Sequence, residues 1–179
     1  ECRKQGQPAI LKAAMPQPVI PHSIASPSVV AHVMMQKYGY AVPLYRQESE
    51  WKRIGLAFPR ANLANWIIIA TKEWLVPVYD RLHELLLEEP CLHADETPVQ
   101  VHNEKGRKNT SKSYMWIYTS TTLNPNQNIR LFEYAPSRAG NCAETFLNGF
   151  QGYLLTDDYS GYHNIKTAGH CLCWAHARR

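Results

Sequence analysis

The sequence predicts an α/β protein in which an all-helical module precedes a sheet. Three observations predict it. Apolar residues recur at helical spacing up to Pro90, the pattern changes to alternation just after it, and one short helical stretch then interrupts the strands.

Residues 1–25 read as a linker, because Pro8, Pro16, Pro18 and Pro21 interrupt any regular element. Ser26 followed by Pro27 is a cap and a first-turn proline. Val29, Val30, Val33, Met34 and Tyr38 then keep helical spacing, and Gly39 ends the run. A second helix starts at Pro43, carries Leu44, Trp51 and Ile54 on one side, and stops at Gly55. A third starts near Pro59 and places Leu63, Trp66, Ile67, Ala70 and Trp74 on one face. Pro77 lacks a backbone donor and is expected to kink or break it. Leu82, Leu85 and Leu86 continue the pattern until Pro90, so the helical module is residues 26–89.

Residues 90–179 form the sheet-bearing part. Cys91, His93 and Asp95 share one face of its first strand, with Leu92 and Ala94 on the other, and Asp95 is expected to end it. Tyr114-Met115-Trp116-Ile117-Tyr118 and Ile129-Arg130-Leu131-Phe132-Glu133-Tyr134 read as two more strands, joined by an antiparallel turn at Asn124-Pro125-Asn126. Residues 141–150 read as a short helix burying Phe146, Leu147 and Phe150. Gly152-Tyr153-Leu154-Leu155-Thr156 reads as a buried strand running directly into Asp157, and residues 170–174 as a last strand.

Composition narrows the classes of function. The 179 residues are 45% hydrophobic and 19% charged, which excludes a wholly disordered chain. The longest apolar run, residues 66–70, falls far short of the ~20 residues a membrane helix needs, so no membrane partner is expected. No secretion signal opens the chain, and five scattered cysteines point to a reducing compartment. Nineteen basic against fifteen acidic residues give a net charge of +4, which permits a nucleic-acid partner without demanding one. Glu1 in the place of a starting methionine, and the abrupt end at Arg179, lead us to expect a piece of a longer protein.

Two aspartates at strand ends are the strongest chemical signal. If the first and fourth strands are neighbours, Asp95 and Asp157 come close together, and two carboxylates without a cation repel. A hard divalent ion resolves the repulsion, and a pair of such ions roughly 3.5–4 Å apart can drive displacement at phosphorus. From spacing alone, strand-end aspartates more often cap a following turn or helix. Near the C-terminus, Cys173-x-x-His176 is half a zinc site, but His170 falls on the strand face opposite Cys171 and Cys173, so four ligands do not converge. Cys2 stands alone where Gln5 replaces a second cysteine, and zinc is not expected. The basic stretch 103–113, with Lys105, Arg107, Lys108 and Lys112, is either a solvated hairpin tip or a phosphate clamp. Residues 47–66 have helix-turn-helix proportions, which a generic helical hairpin explains equally well.

At these motifs the chain resembles a known family. His93-Ala94-Asp95-Glu96-Thr97-Pro98-Val99, Thr156-Asp157-Asp158-Tyr159-Ser160-Gly161-Tyr162 and Cys173-Trp174-Ala175-His176-Ala177-Arg178-Arg179 are similar to signature blocks of the insertion sequence 66 family of bacterial transposases. Pro43-Leu44-Tyr45-Arg46-Gln47-Glu48 resembles a fourth block. The resemblance implies a partial ribonuclease-H-like mixed sheet with an Asp-Asp-Glu triad. Asp95 matches the first acid, and Asp157, rather than Asp158, the second, since it directly follows the strand and Thr156. His176 and Cys173 match a supporting Cys-x-x-His element, and the third acid falls outside this sequence. The resemblance further implies two Mg²⁺ or Mn²⁺ ions in the full-length enzyme and DNA, both element ends and target, as substrate. It implies homo-oligomers, accessory proteins encoded nearby and a bacterial cytoplasmic setting. The full-length relative would cut and join DNA strands, whereas this stretch alone is expected to be inactive. The alternative is a non-catalytic DNA-binding remnant, in which Lys105, Arg107, Lys108 and Lys112 contact phosphates.

Overall fold

Ser26 starts the first helix by accepting a hydrogen bond from the Val29 N–H through its hydroxyl, with Pro27 in the first turn. The computed structural model describes residues 16–121 and 128–178, and these fall into two compact units that divide between Val76 and Pro77. Among the described residues no helix is long and apolar enough to cross a membrane.

The first unit is helical. It holds α1 (Pro27–Met34), a π turn (Met35–Gly39), α2 (Leu44–Arg53), α3 (Arg60–Ala70) and a second π turn (Thr71–Leu75). Its core is built from Val30, Val33, Leu63, Trp66, Ile67 and Ala70. Trp51, Phe58 and Trp66 meet edge to face in succession, with centroids 5.5 and 5.2 Å apart. Gly55, at φ +86°, ends α2 in a conformation that glycine adopts without strain.

The Pro43–Glu48 block closes this hairpin. Pro43 precedes the first turn of α2, and the buried Gln47 amide donates to the Val33 and Val42 carbonyls at 3.3 and 3.0 Å. Glu48 Oε1 accepts the Arg60 N–H at 3.0 Å, supplying α3 with the cap that Pro59 cannot. Two expectations need correction here. Ile54 lies past the end of α2 and is exposed, its place on the inward face being taken by Gln47. Trp74 is 57% exposed, because the π turn adds a residue to the helical repeat and rotates it off the Leu63–Ala70 face.

The second unit begins in the first turn of α4 (Val76–Leu87). Pro77 does not break the helical backbone. It sits where a missing N–H is tolerated, directly after the π turn. Then come β1 (Cys91–Gln100), β2 (Lys112–Ser120), β3 (Arg130–Ala135), α5 (Gly140–Phe146), β4 (Tyr153–Thr156), a 3₁₀ turn (Ser160–Tyr162), β5 (Gly169–Leu172) and α6 (Trp174–Ala177). The sheet order is β3-β2-β1-β4-β5, with antiparallel β1–β2 and β2–β3 pairs and parallel β1–β4 and β4–β5 pairs. The fold is thus α/β, helices followed by a mixed five-stranded sheet.

One sheet face is the core. Leu92, Ala94, Trp116, Tyr118, Leu131 and Leu154 pack there against Leu86 of α4 and Phe146 of α5. Tyr118 stacks flat on Phe146 at 3.9 Å. The expected burial of Phe146, Leu147 and Phe150 holds. Two boundaries and one burial pattern differ from expectation. β1 does not stop at Asp95 but continues to Gln100, because β2 pairs with it antiparallel along its whole length. Pro98 lies beyond the last β4 pair, where β1 has a neighbour on one side only. β4 is buried on one face, with Tyr153 exposed, and Trp174 leaves the last strand to begin α6. The expected turn at Asn124-Pro125-Asn126 lies outside the described residues.

Two stability predictions follow from these contacts. Gln47→Leu leaves the Val33 and Val42 carbonyls without that donor and should cost about 1–3 kcal/mol in urea unfolding followed by tryptophan fluorescence. An unchanged midpoint would contradict the clamp. A Cβ at Gly140 would stand 2.4 Å from the Gly161 carbonyl oxygen, so Gly140→Ala should cost about 1–3 kcal/mol by displacing the Ser160–Tyr162 turn. Wild-type stability in that variant would show that the backbones do not touch.

Candidate active site

A strand sends successive side chains to opposite faces, so adjacent acids on β1 must part company. Leu92 and Ala94 point into the core, which puts His93 and Asp95 on the open face and Glu96 on the core face. On β4, Leu154 and Thr156 are buried, which leaves Leu155 and the following Asp157 on the open side. The parallel register pairs His93 with Leu155. Pairing stops there; continued two residues along each chain, the same register would bring Asp95 level with Asp157, which lies just past the end of β4.

Each aspartate is steadied by one oxygen. Asp95 Oδ1 accepts the Glu96 N–H at 2.9 Å, and Asp157 Oδ1 accepts the Tyr159 N–H at 3.0 Å. The second oxygen of Asp95 has no partner among the described residues. Asp157 Oδ2 lies 3.9 Å from Arg138 Nη2. Asp158, by contrast, is exposed and sits 3.4 Å from His163 Nε2.

Glu96 is the unexpected member. Its side chain is 1% exposed, and a carboxylate buried that deeply requires a partner. Arg138 supplies it, with Nη2 at 2.5 Å and Nε at 2.7 Å from Oε1, and the Tyr162 hydroxyl donates to Oε2 at 2.5 Å. Burial and the bond to Glu96 hold the Tyr162 phenol well above its usual range. Burial opposes the Arg138 charge, but the hydrogen bond and charge of Glu96 outweigh it and raise its pKa. The Tyr159 ring lies 3.9 Å from the Arg138 guanidinium carbon, and the Tyr159 hydroxyl donates to the Arg138 carbonyl at 2.5 Å. Gly161 allows that ring in, since a Cβ there would stand 2.3 Å from it.

The remaining site candidates lie further out. Cys173 follows β5 in the step beside Asp157 and donates its N–H to the Thr156 carbonyl at 2.9 Å. Its own carbonyl accepts the His176 N–H at 3.1 Å, and His176 Nδ1 is buried with no partner among the described residues. Lys105, Lys108 and Lys112 are exposed on the β1–β2 hairpin, at the far end of β1 from Cys91. Arg107 is half-buried there and structural in its contacts. It donates to the Pro136 and Lys112 carbonyls and lies 3.5 Å from Glu104. A hydrogen bond from the Tyr134 hydroxyl holds the Glu104 carboxyl below the usual range, which fastens the hairpin to β3. Arg46, Lys52, Arg53 and Arg60 are exposed on α2 and α3.

Could the pair hold a cation? Among the described residues no group of three or more His, Cys, Asp or Glu side chains converges on one point. Asp95 and Asp157 both offer carboxylate oxygen, and each keeps an oxygen free of protein hydrogen-bond donors or nearly so. That donor set suits a hard divalent ion whose remaining ligands are water.

Comparison with known proteins bears on the family. Three curated proteins of Sinorhizobium fredii match, among them the uncharacterized protein y4qI, 28% identical over 98% of this chain, and the uncharacterized protein y4jD, 29% identical over 95%. The chain spans about a third of their lengths, 34% and 35%. No solved structure matches. The sequence also matches the family described as Transposase IS66 family over residues 22–179. The chain therefore belongs to the IS66 family of transposases.

Proposed function

We propose that this chain carries the first two carboxylates of a divalent-metal centre for phosphoryl transfer on DNA, within a ribonuclease-H-like domain. One observation carries the reading. Asp95 and Asp157 follow directly on the paired stretches of two parallel neighbouring strands, although their sequence positions lie far apart. Membership of a transposase family supplies the substrate class.

In this reading Asp95 and Asp157 would be the residues that hold Mg²⁺ or Mn²⁺. Bound there, such an ion supplies Lewis-acid stabilisation of charge developing on a phosphodiester. The chain's own part is to hold the two carboxylates at fixed separation. Backbone N–H groups of Glu96 and Tyr159 orient them, and the sheet prevents them from relaxing apart. Cys173 and His176 support the end of β4 rather than bind the ion, and Lys105, Lys108 and Lys112 line the approach of the DNA backbone. In the full-length protein a third carboxylate would complete the centre, with cleavage at an element end followed by joining to target DNA. Homo-oligomers and accessory proteins belong to that whole protein.

Two outcomes test the reading. Titration of Mn²⁺ against the chain, read by loss of the free-ion paramagnetic resonance signal, should show a weak site that Asp95→Asn and Asp157→Asn each abolish, while Asp158→Asn leaves it. Equal binding by all four proteins would overturn the assignment. The wild-type chain should bind duplex DNA with an affinity that falls steeply with salt, yet leave it uncut in Mg²⁺, since two carboxylates position the attacking oxygen poorly. Nicking lost in Asp95→Asn would show instead that this stretch is a complete catalyst.

A further inference from the structure

Arg138 is held in a manner that charge neutralisation alone does not explain. Its carboxylate partner is almost wholly buried, yet the arginine side chain itself is 42% exposed. Glu96 therefore works as an anchor at one edge of the guanidinium, engaging Nε and Nη2. The Tyr159 ring covers one face of the plane, and the Tyr159 hydroxyl fixes the backbone beneath it. Among the described residues Nη1 has no partner. The open edge lies beside Asp157, with Nη2 3.9 Å from its carboxylate.

Charge sets what such an edge can receive. Glu96 cancels the arginine, leaving Asp95 and Asp157 as two uncompensated negative charges. One divalent ion between them brings the cluster to neutral, which no longer repels an anion but does not orient one. A preordered guanidinium supplies that orientation, because its planar fork matches two oxygens of a phosphate and little rotamer freedom remains to be lost.

We propose that Arg138 is a substrate-positioning residue: it contacts a backbone phosphate of the DNA entering the Asp95–Asp157 site. This rests on the reading of that site as a DNA-processing centre. Glu96, Tyr159 and Tyr162 are then positioning residues that act through Arg138.

The test is DNA binding rather than activity. Binding of a fluorescently labelled mixed-sequence duplex to the 179-residue chain is measured by anisotropy across a monovalent-salt series at one fixed Mg²⁺ concentration. Removing one phosphate contact lowers the magnitude of the slope of log Kobs against log salt by about one. Arg138→Gln should show that change. It also leaves Glu96 buried without a counter-charge, so the decisive protein is the double variant Glu96→Gln/Arg138→Gln, which removes both charges together. If the double variant keeps the wild-type melting temperature and loses about one unit of slope, the assignment stands. If it keeps the full slope, Arg138 serves only to neutralise Glu96 and the proposal fails. Should the double variant not fold, phenylglyoxal modification of the wild-type chain decides the matter. Mass spectrometry should find Arg138 protected by saturating duplex, and equal modification with and without DNA would overturn the proposal. A wild-type chain that binds no DNA would remove the underlying reading first, a result distinct from either.

Discussion

The parallel pairing of β1 with β4 is the constraint on which the rest depends. It runs for three residues, Cys91–His93 against Tyr153–Leu155, and then stops. Because both strands bury the same face, the chain has no freedom in which acids it presents beyond that point. A slip of one residue would turn Asp95 into the core and Glu96 out, exposing Leu92 and Ala94 at the same time. The hydrophobic core made by Leu92, Ala94, Leu154 and Tyr118 therefore fixes the chemistry of the opposite face.

The same constraint creates a problem that the second half of the unit resolves. Placing Asp95 outward forces Glu96 inward, beside Trp116, where an unpaired carboxylate would be costly. Arg138 arrives from the segment between β3 and α5, and Tyr162 from the turn after β4. The close approach of Gly140 to Gly161 brings those two segments together. Burial of one acid and presentation of the other are thus two consequences of a single strand register, linked by Arg138 to Asp157.

Much of this was legible in the sequence where it is local. Alternation in Cys91–Asp95 announces the strand and its faces, and Leu154 to Thr156 announce the strand that ends just before Asp157. Glu96 was not legible, because its partners stand 42 and 66 residues away and nothing near it marks it as buried. Arg138 lies in no alternating or helical pattern at all. Trp74 was misplaced for another reason, since a π turn changes the helical repeat without any breaker residue to signal it. The end of β1 is not legible at Asp95 because β4 already stops pairing at His93, while β2 carries the strand onward to Gln100.

The most direct measurement is anomalous diffraction from crystals of the chain soaked in Mn²⁺. The account predicts a peak on the open sheet face, coordinated by one oxygen each of Asp95 and Asp157 at about 2.0–2.3 Å, with Glu96 buried against Arg138 behind it. Well-ordered aspartates on opposite faces of the sheet, or bound manganese elsewhere with this face bare, would contradict it.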